Sequence, residues 1–319
     1  MRHVVTAAFR SKAALLLAAW AGLVACHITP ASAGNTAFLS RSGSGNCLSM
    51  TTACTTMTTA VAAAGAGGEV ICLDKGNYSI SSITITFGIT ISCGDGLWEA
   101  PGQVITINPP VGSTVVIEGL VSDSIGSAGT IMHFGGQGTL HLRRVRIGNA
   151  TGGHGLSFAP TGPAQLLVTD SYFYNMIGNS GVLAGINIKP GSGVSANITI
   201  ERTRIERNRF GLFLDGTGGG SIGGVIKDSL VSAGFFNGIS ASTSGTNVGL
   251  VVDNTIVSGN NIGIAAGGTN GFILVRRSTI TTNSQGLSAG GGAAIVTYKD
   301  NLLNNNGNDG AFSFSIPLQ

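Results

Sequence analysis

Residues 250–263, LVVDNTIVSGNNIG, and residues 273–286, ILVRRSTITTNSQG, are two copies of one unit, 23 residues apart. We number each copy from an apolar anchor, Val257 in the first and Ile280 in the second. Both copies carry an apolar residue five positions before the anchor, Ser or Thr two positions before it, and Asn three positions after it. A repeat in fixed columns predicts that successive units stack directly on one another.

The same unit recurs through the second half of the chain. Its anchors are Ile147, Phe173, Ile205, Val231, Val257, Ile280 and Leu303, at spacings of 26, 32, 26, 26, 23 and 23 residues. The column five residues before them is Leu142, Val168, Ile200, Ile226, Val252, Val275 and Tyr298, and the column seven before is Leu140, Leu166, Ile198, Gly224, Leu250, Ile273 and Val296. Val121, with Val116 five residues earlier, is predicted to anchor one further unit.

Each unit holds short, alternating, β-branched stretches broken by Gly and Asn, which is typical of strands and turns rather than helices. The charges support the stacking independently. Three positions before the anchors stand Arg144, Asp170, Arg202, Asp228, Asn254, Arg277 and Asp300, so the sign alternates wherever charge occurs. Because like charges repel across paired strands, this alternation predicts parallel strands about 4.8 Å apart, with Asp170 beside Arg144 and Arg202.

Turn residues complete the pattern. Three positions after the anchors lie Asn208, Asn260, Asn283 and Asn306, and Gly follows three residues after the first three of these. Stacked Asn amides can bond one another and the turn backbone, and both residue types tolerate left-handed conformations. With this ladder the chain resembles the right-handed parallel β-helix proteins of the pectate-lyase-like superfamily, over roughly residues 70–319. The resemblance implies an all-β solenoid, but the superfamily includes lyases, hydrolases, epimerases and adhesins, so it does not fix an activity.

One short motif resembles a catalytic element of a related family. Gly153-His154-Gly155 is similar to the Gly-His-Gly of polygalacturonases, β-helices that hydrolyse with paired aspartates. The chain has no Asp-Asp and no Asn-Thr-Asp sequence. Because glycoside hydrolysis needs two neighbouring carboxyl groups, we predict instead that Gly153 is a turn residue equivalent to Gly211, Gly263 and Gly286.

Composition restricts the class of protein. The 319 residues include 51 Gly, and only 10% are charged while 43% are hydrophobic, which excludes charge-rich disorder. Residues 1–33 are predicted to be a signal peptide, with three cations, the apolar run 13–25 and the cleavage pattern Ala31-Ser32-Ala33. A lipobox-like Leu23-Val24-Ala25-Cys26 leaves a lipid anchor at Cys26 as the alternative. We therefore expect a secreted, periplasmic or cell-surface protein with no transmembrane helix.

Removal of residues 1–33 leaves 14 Lys and Arg against 14 Asp and Glu. A formally neutral chain lacks the electrostatic basis for binding nucleic acid. The four remaining cysteines, Cys47, Cys54, Cys72 and Cys93, are an even set in an exported chain and predict two disulfides. Nearest pairing gives Cys47 with Cys54 and Cys72 with Cys93, although four cysteines allow three connectivities.

The disulfides are expected to hold an N-terminal cap at residues 34–69, in which residues 55–64, rich in Ala and Thr, form a short helix. The β-helix itself is expected to occupy residues 70–319. No metal or cofactor is expected, since the chain has no C-x-x-C zinc pattern and its acids alternate with Arg and Lys, which makes them poor calcium ligands.

The candidate binding surface lies one position before the anchors, where Arg146, Tyr172 and Arg204 fall on three successive coils. Tyr174 and Arg207 lie just beyond. The 32-residue unit is also expected to project a loop, around residues 178–194, that carries Lys189. Guanidinium groups suit carboxylated or sulfated sugars, and a Tyr ring can stack on a sugar. The alternative is a surface salt network in which Asp170 and Glu206 hold these arginines.

Three functions stay open from the sequence. The first is binding of an extended, acidic polysaccharide at a cell surface or in the periplasm. The second is a metal-independent lyase or epimerase, with Arg neutralising a uronate and a Tyr, His or Lys as base. The third is a structural or adhesive spacer without catalysis.

Overall fold

The computed structural model describes residues 34–78, 82–94, 96, 98–102, 104–123, 129–178 and 181–317. The predicted signal peptide at residues 1–33, with Cys26, lies outside these residues, so its processing stays a prediction. The described chain is an all-β, right-handed parallel β-helix, as the repeat and the resemblance predicted. A typical coil passes from Gly138–Arg143 through Arg146–Gly148 and Leu156–Phe158 before Ala164–Thr169 begins the next coil.

Three parallel sheets result from this path. Sheet A has twelve described strands: Thr36–Leu39, Glu69–Cys72, Ile89–Ser92, Thr114–Glu118, Gly138–Arg143, Ala164–Thr169, Ser195–Glu201, Ser221–Lys227, Val248–Asp253, Gly271–Arg276, Ala294–Thr297 and Phe314–Ser315. Sheet B has ten: Gly76–Asn77, Trp98–Glu99, Leu120–Asp123, Arg146–Gly148, Tyr172–Tyr174, Arg204–Glu206, Leu230–Ser232, Ile256–Ser258, Thr279–Thr281 and Leu302–Asn304. Sheet C has nine: Ile83–Ile85, Ile105–Ile107, Met132–Phe134, Leu156–Phe158, Ala184–Ile188, Phe210–Gly216, Asn237–Thr243, Ile262–Gly267 and Gln285–Gly290.

The predicted anchors are confirmed as one column of sheet B. Ile147, Phe173, Ile205, Val231, Val257, Ile280 and Leu303 pair in register from coil to coil. Six of the seven are fully buried. Apolar side chains stacked above one another keep water out of the interior, which is the main source of stability in a fold with few local contacts.

The predicted register is wrong by one residue at both ends of the repeat. Ser122, not Val121, pairs with Ile147, and Ile117, not Val116, pairs with Leu142. Ser122 escapes the apolar pattern because it is polar, yet it is fully buried and its hydroxyl donates to the Ala100 carbonyl at 2.8 Å.

In the last coil, Thr297 rather than Tyr298 pairs with Val275, and Ile295 rather than Val296 pairs with Ile273. The extra residue lies in the following corner, where Lys299 has φ +69°.

Left-handed residues form both corners of sheet B. The corner from sheet A to sheet B contains Arg144, Asp170, Arg202, Asp228, Asn254 and Arg277, with φ between 44° and 53°. The corner from sheet B to sheet C contains Asn149, Asn175, Arg207, Ala233, Gly259, Thr282 and Asn305, which are left-handed as well. A single left-handed residue reverses the chain sharply, so the predicted charge column occupies an outer corner of the coils.

Asn side chains link successive coils beside the second corner. The Asn260 amide donates to Asn283 Oδ1 at 3.0 Å, and the Asn283 amide donates to Asn306 Oδ1 at 2.9 Å. Asn208 is separated from this ladder by Gly234, whose N–H donates to Asn260 Oδ1 at 2.9 Å. The ladder is therefore confirmed over its last three members, but none of its Asn residues is left-handed.

The glycine column also differs from the prediction. Leu156, Ile186, Leu212, Ile239, Ile264 and Leu287 pair across sheet C, which places Gly155, and not Gly153, in one column with Gly211, Gly263 and Gly286. Close backbone contact explains the glycines, since a Cβ on Gly263 would lie 2.7 Å from the Gly286 carbonyl oxygen.

The predicted disulfides Cys47–Cys54 and Cys72–Cys93 are both present. The predicted helix extends over Met57–Ala64, with Thr56 as N-cap, and buries Met57, Ala60, Val61 and Ala64 against the first coils. Within the described ranges, no helix is long and apolar enough to cross a membrane.

Candidate functional site

An open groove follows the corner between sheets A and B. Its lining residues are Lys75, Gly96, Val121, Arg144, Val145, Arg146, Asp170, Ser171, Tyr172, Arg202 and Arg204. Five of these eleven residues are cations and one is an acid, so the groove presents a positive surface. An adjoining groove shares Arg202 and Arg204 and continues along the same corner to Asn254 and Arg277.

The structure brings Arg146, Tyr172 and Arg204 together on three paired strands of sheet B. The Arg146 guanidinium carbon lies 5.9 Å from the centre of the Tyr172 ring, and that of Arg204 lies 5.3 Å from it. The half-buried Tyr172 ring stacks on Tyr174 with the ring centres 4.5 Å apart. Two cations therefore flank one rigid aromatic surface.

The salt network considered from the sequence is also present. Arg202 Nε lies 2.7 Å from Asp170 Oδ1, and Arg204 lies 2.9 Å from Glu206. Arg144 pairs with Glu118. Among the described residues, Arg146 forms no ion pair and contacts the two Tyr rings instead.

These ion pairs are unequal in exposure. The Arg204 side chain is 62% exposed while its partner Glu206 is 14% exposed, and the corresponding values for Arg144 and Glu118 are 41% and 12%. Burial opposes ionisation of Glu206, but hydrogen bonds from Arg204 and Tyr172 outweigh it and lower the pKa of the carboxyl. A ligand that enters the groove thus meets guanidinium groups whose counter-charges lie mostly beneath the surface.

Tyr174 does not belong to the exposed surface. Its side chain lies across Gly148 of the preceding coil, where a Cβ would approach the ring to 2.5 Å, and only 6% of the residue is exposed. The hydroxyl donates to Asp123. Burial and this hydrogen bond raise the pKa of Tyr174 to about 12. The residue supports Tyr172 from behind.

Arg207 is exposed at the corner between sheets B and C and does not line the groove. Burial raises the pKa of Tyr172, as does its hydrogen bond with Glu206, and the nearby charge of Arg207 opposes the shift.

Lys189 lies on a different face from the groove. It follows the sheet C strand Ala184–Ile188, and its Nζ is 2.7 Å from Asp215 Oδ2 on the next coil. The predicted projecting loop is placed too late, because thirteen residues separate Phe173 from Ile186 whereas seven separate Ile205 from Leu212. The six additional residues therefore precede sheet C, in a segment of which residues 179 and 180 lie outside the described chain.

Sequence reasoning missed a polar cluster around Lys189 on sheet C. The His154 Nδ1 accepts a hydrogen bond from the Ala184 N–H at 3.1 Å. Burial, and then the positive charge of Lys189, lower the pKa of His154 to about 4, while Asp215 opposes the shift. Asn187 is 5% exposed, and its Oδ1 has no hydrogen-bond partner. The 26-residue register would have placed Lys189 beside Asp215, but only the anchor column was compared for functional side chains.

No family model matches this chain, and no curated protein matches it either. A solved structure described as pectate lyase Pel9A is similar, with a TM-score of 0.65 and 15% sequence identity over 91% of this chain and 80% of the other. The chain is a pectate-lyase-like β-helix. At this level of identity the likeness concerns the fold, and the side chains must be considered on their own.

The acids of this pectate-lyase-like β-helix are dispersed. Within the part of the chain that the structure describes, no group of three or more His, Cys, Asp or Glu side chains is arranged to hold a metal ion. Asp170, Asp215 and Asp253 each pair with a cation of a neighbouring coil, which keeps their pKa below the ordinary value.

Proposed function

We propose that this protein binds an extended, acidic polysaccharide along the groove between sheets A and B. The observation that carries the proposal is the row of Arg146, Tyr172 and Arg204 on successive coils, with exposed guanidinium groups and largely covered acids. Guanidinium groups bind carboxylate or sulfate through paired hydrogen bonds. Because coils stack about 4.8 Å apart, the groove follows the solenoid axis and suits a polymer that lies along it.

The fold and the disulfides support the setting of this function. A likeness to a protein described as a pectate lyase favours a polysaccharide as ligand. Two disulfides are consistent with an extracellular location, since such bonds persist in oxidising compartments. The proposal accordingly places the protein in the periplasm, at the cell surface or in the medium.

The protonation states in the groove favour binding over elimination. A lyase or epimerase needs a base that is free to take a proton from the sugar. The pKa values of Tyr172 and Tyr174 are both raised, the latter to about 12, so both phenols stay protonated at neutral pH. On the other face, the Nδ1 of His154 already accepts a backbone hydrogen bond and Lys189 is paired with Asp215.

Calorimetric titration with short acidic oligosaccharides, chosen from a glycan array of the mature chain, tests the proposal. We expect Arg146→Ala and Arg204→Ala each to weaken binding about tenfold or more, or about 1.4 kcal/mol, and we expect added salt to weaken it in the wild type. Arg277→Ala is the matched control, because Arg277 occupies the same corner, pairs with Asp253, and lies outside the groove around Tyr172.

Equal affinity of all three variants, or an array without any acidic glycan bound, would contradict the proposal. Ultraviolet absorbance of unsaturated uronate products, measured on the same glycans, separates binding from elimination. We expect no such absorbance from the wild type, and its appearance would replace binding by lyase activity as the function.

A further inference from the structure

The charges along the groove alternate with a period of two coils. One coil places Arg144 in the corner and Arg146 in sheet B, and the coil two steps further places Arg202 and Arg204 in the same two positions. The coil between them carries Asp170 and Tyr172. Paired cations therefore recur every second coil, about 10 Å apart, with an acid and an aromatic ring between them.

The next coil repeats the intermediate type. Asp228 occupies the corner and Leu230 occupies the sheet B position beside Arg204. Both residues line the adjoining groove that shares Arg202 and Arg204. The order along the corner is thus two cations, an acid with an apolar side chain, two cations, and again an acid with an apolar side chain.

The intermediate coils are unsuited to an anionic sugar. The Asp170 side chain is 46% exposed, and its hydrogen bond with Arg202 lowers its pKa, so it is ionised at neutral pH. A carboxylate placed over this coil would face a like charge and a half-buried ring. A neutral pyranose fits better, since its apolar face can lie against Tyr172 while its hydroxyl groups bond to Asp170.

Resting on the proposed function, we infer that the ligand is an alternating polysaccharide that carries one carboxylate for every two sugars. Two pyranoses in an extended chain cover a length close to the spacing of the cation pairs. Its acidic sugars would contact the Arg144 and Arg146 coil and the Arg202 and Arg204 coil. Its neutral sugars would lie over the coils of Tyr172 and Leu230.

The test compares three oligosaccharide series of matched length: alternating glucuronate and N-acetylglucosamine, homopolymeric galacturonate, and uncharged N-acetylglucosamine. We expect the wild type to bind the alternating series about tenfold or more tighter than the galacturonate series, despite its lower charge, and to bind the uncharged series least. Asp170→Asn should raise the affinity for galacturonate and so narrow the preference. Asn keeps the size of the side chain and tolerates the left-handed corner.

Asp300→Asn is the control, because it removes an exposed acid of the last coil without changing the groove. Asp228→Asn, at the second intermediate coil, provides the same readout if Asp170→Asn fails to fold. Galacturonate bound as tightly as the alternating series by the wild type, or an unchanged preference in both groove variants, would overturn the inference and leave the proposed function intact. Failure of both acidic series to bind would overturn the proposed function together with it.

Discussion

At the scale of single residues, the neighbour one coil away decides what a side chain does. Tyr172 and Tyr174 are two residues apart in one strand, yet the first borders the groove and the second is buried across Gly148. The sequence places both on the candidate surface, because a strand pattern contains no information on the space that a glycine leaves 26 residues earlier.

His154 gives a prediction of pH dependence. Its pKa in the folded protein is about 4, below the ordinary value of 6.5, so between these values the unfolded chain binds a proton that the folded chain does not. The contribution of His154 to the free energy of unfolding is therefore complete above about pH 6.5 and decreases as the pH falls towards 4.

Urea denaturation at several pH values across this interval measures the effect. We expect the free energy of unfolding to decrease in the wild type and to decrease less steeply in His154→Gln, which cannot be protonated. Some slope should persist in the variant, since burial and the charge of Arg143 also lower the pKa of His141. Identical slopes in the two proteins would show that His154 is not buried in the neutral form.

At the scale of strands and turns, the sequence predicts stacking better than it predicts turns. The anchor columns have the correct register from Ile147 to Leu303 because apolar residues must face the interior in every coil. The register slips where the pattern is interrupted locally, by the buried Ser122 and by the additional corner residue Lys299. Lys189 is misplaced for a related reason, since the length of an insertion does not show on which side of a strand it lies.

The glycine column of sheet C gives a test at this scale. We expect Gly263→Ala to destabilise the protein by about 1 to 3 kcal/mol, because the new methyl group would lie 2.7 Å from a backbone oxygen that cannot move away. Gly249→Ala is the matched control. Gly249 also lies in a strand, and a Cβ there would meet nothing within 4 Å.

Thermal or chemical denaturation of both variants provides the comparison. Gly249→Ala should be neutral or slightly stabilising, because Ala restricts the unfolded chain. Equal stability of the two variants would show that the coils can separate enough to accommodate a side chain, and the close stacking at this corner would be incorrect.

At the scale of the whole molecule, the groove is positive without an excess of positive charge. Beyond residue 33 the chain holds equal numbers of cations and acids, and these alternate along the coils. The surface is cationic because the arginines are exposed while acids such as Glu118 and Glu206 lie beneath them. Net charge and column order could be predicted from the sequence, whereas this difference in exposure required the three-dimensional structure.

The central claim is that an acidic glycan lies along the solenoid axis in the groove between sheets A and B. A crystal structure of the protein with a short alternating acidic oligosaccharide tests it most directly. We predict sugar density that crosses the coils of Arg146, Tyr172 and Arg204 in order, with carboxylates at the two arginines. Density on sheet C beside Lys189 and Asp215, with this groove left empty, would contradict the account.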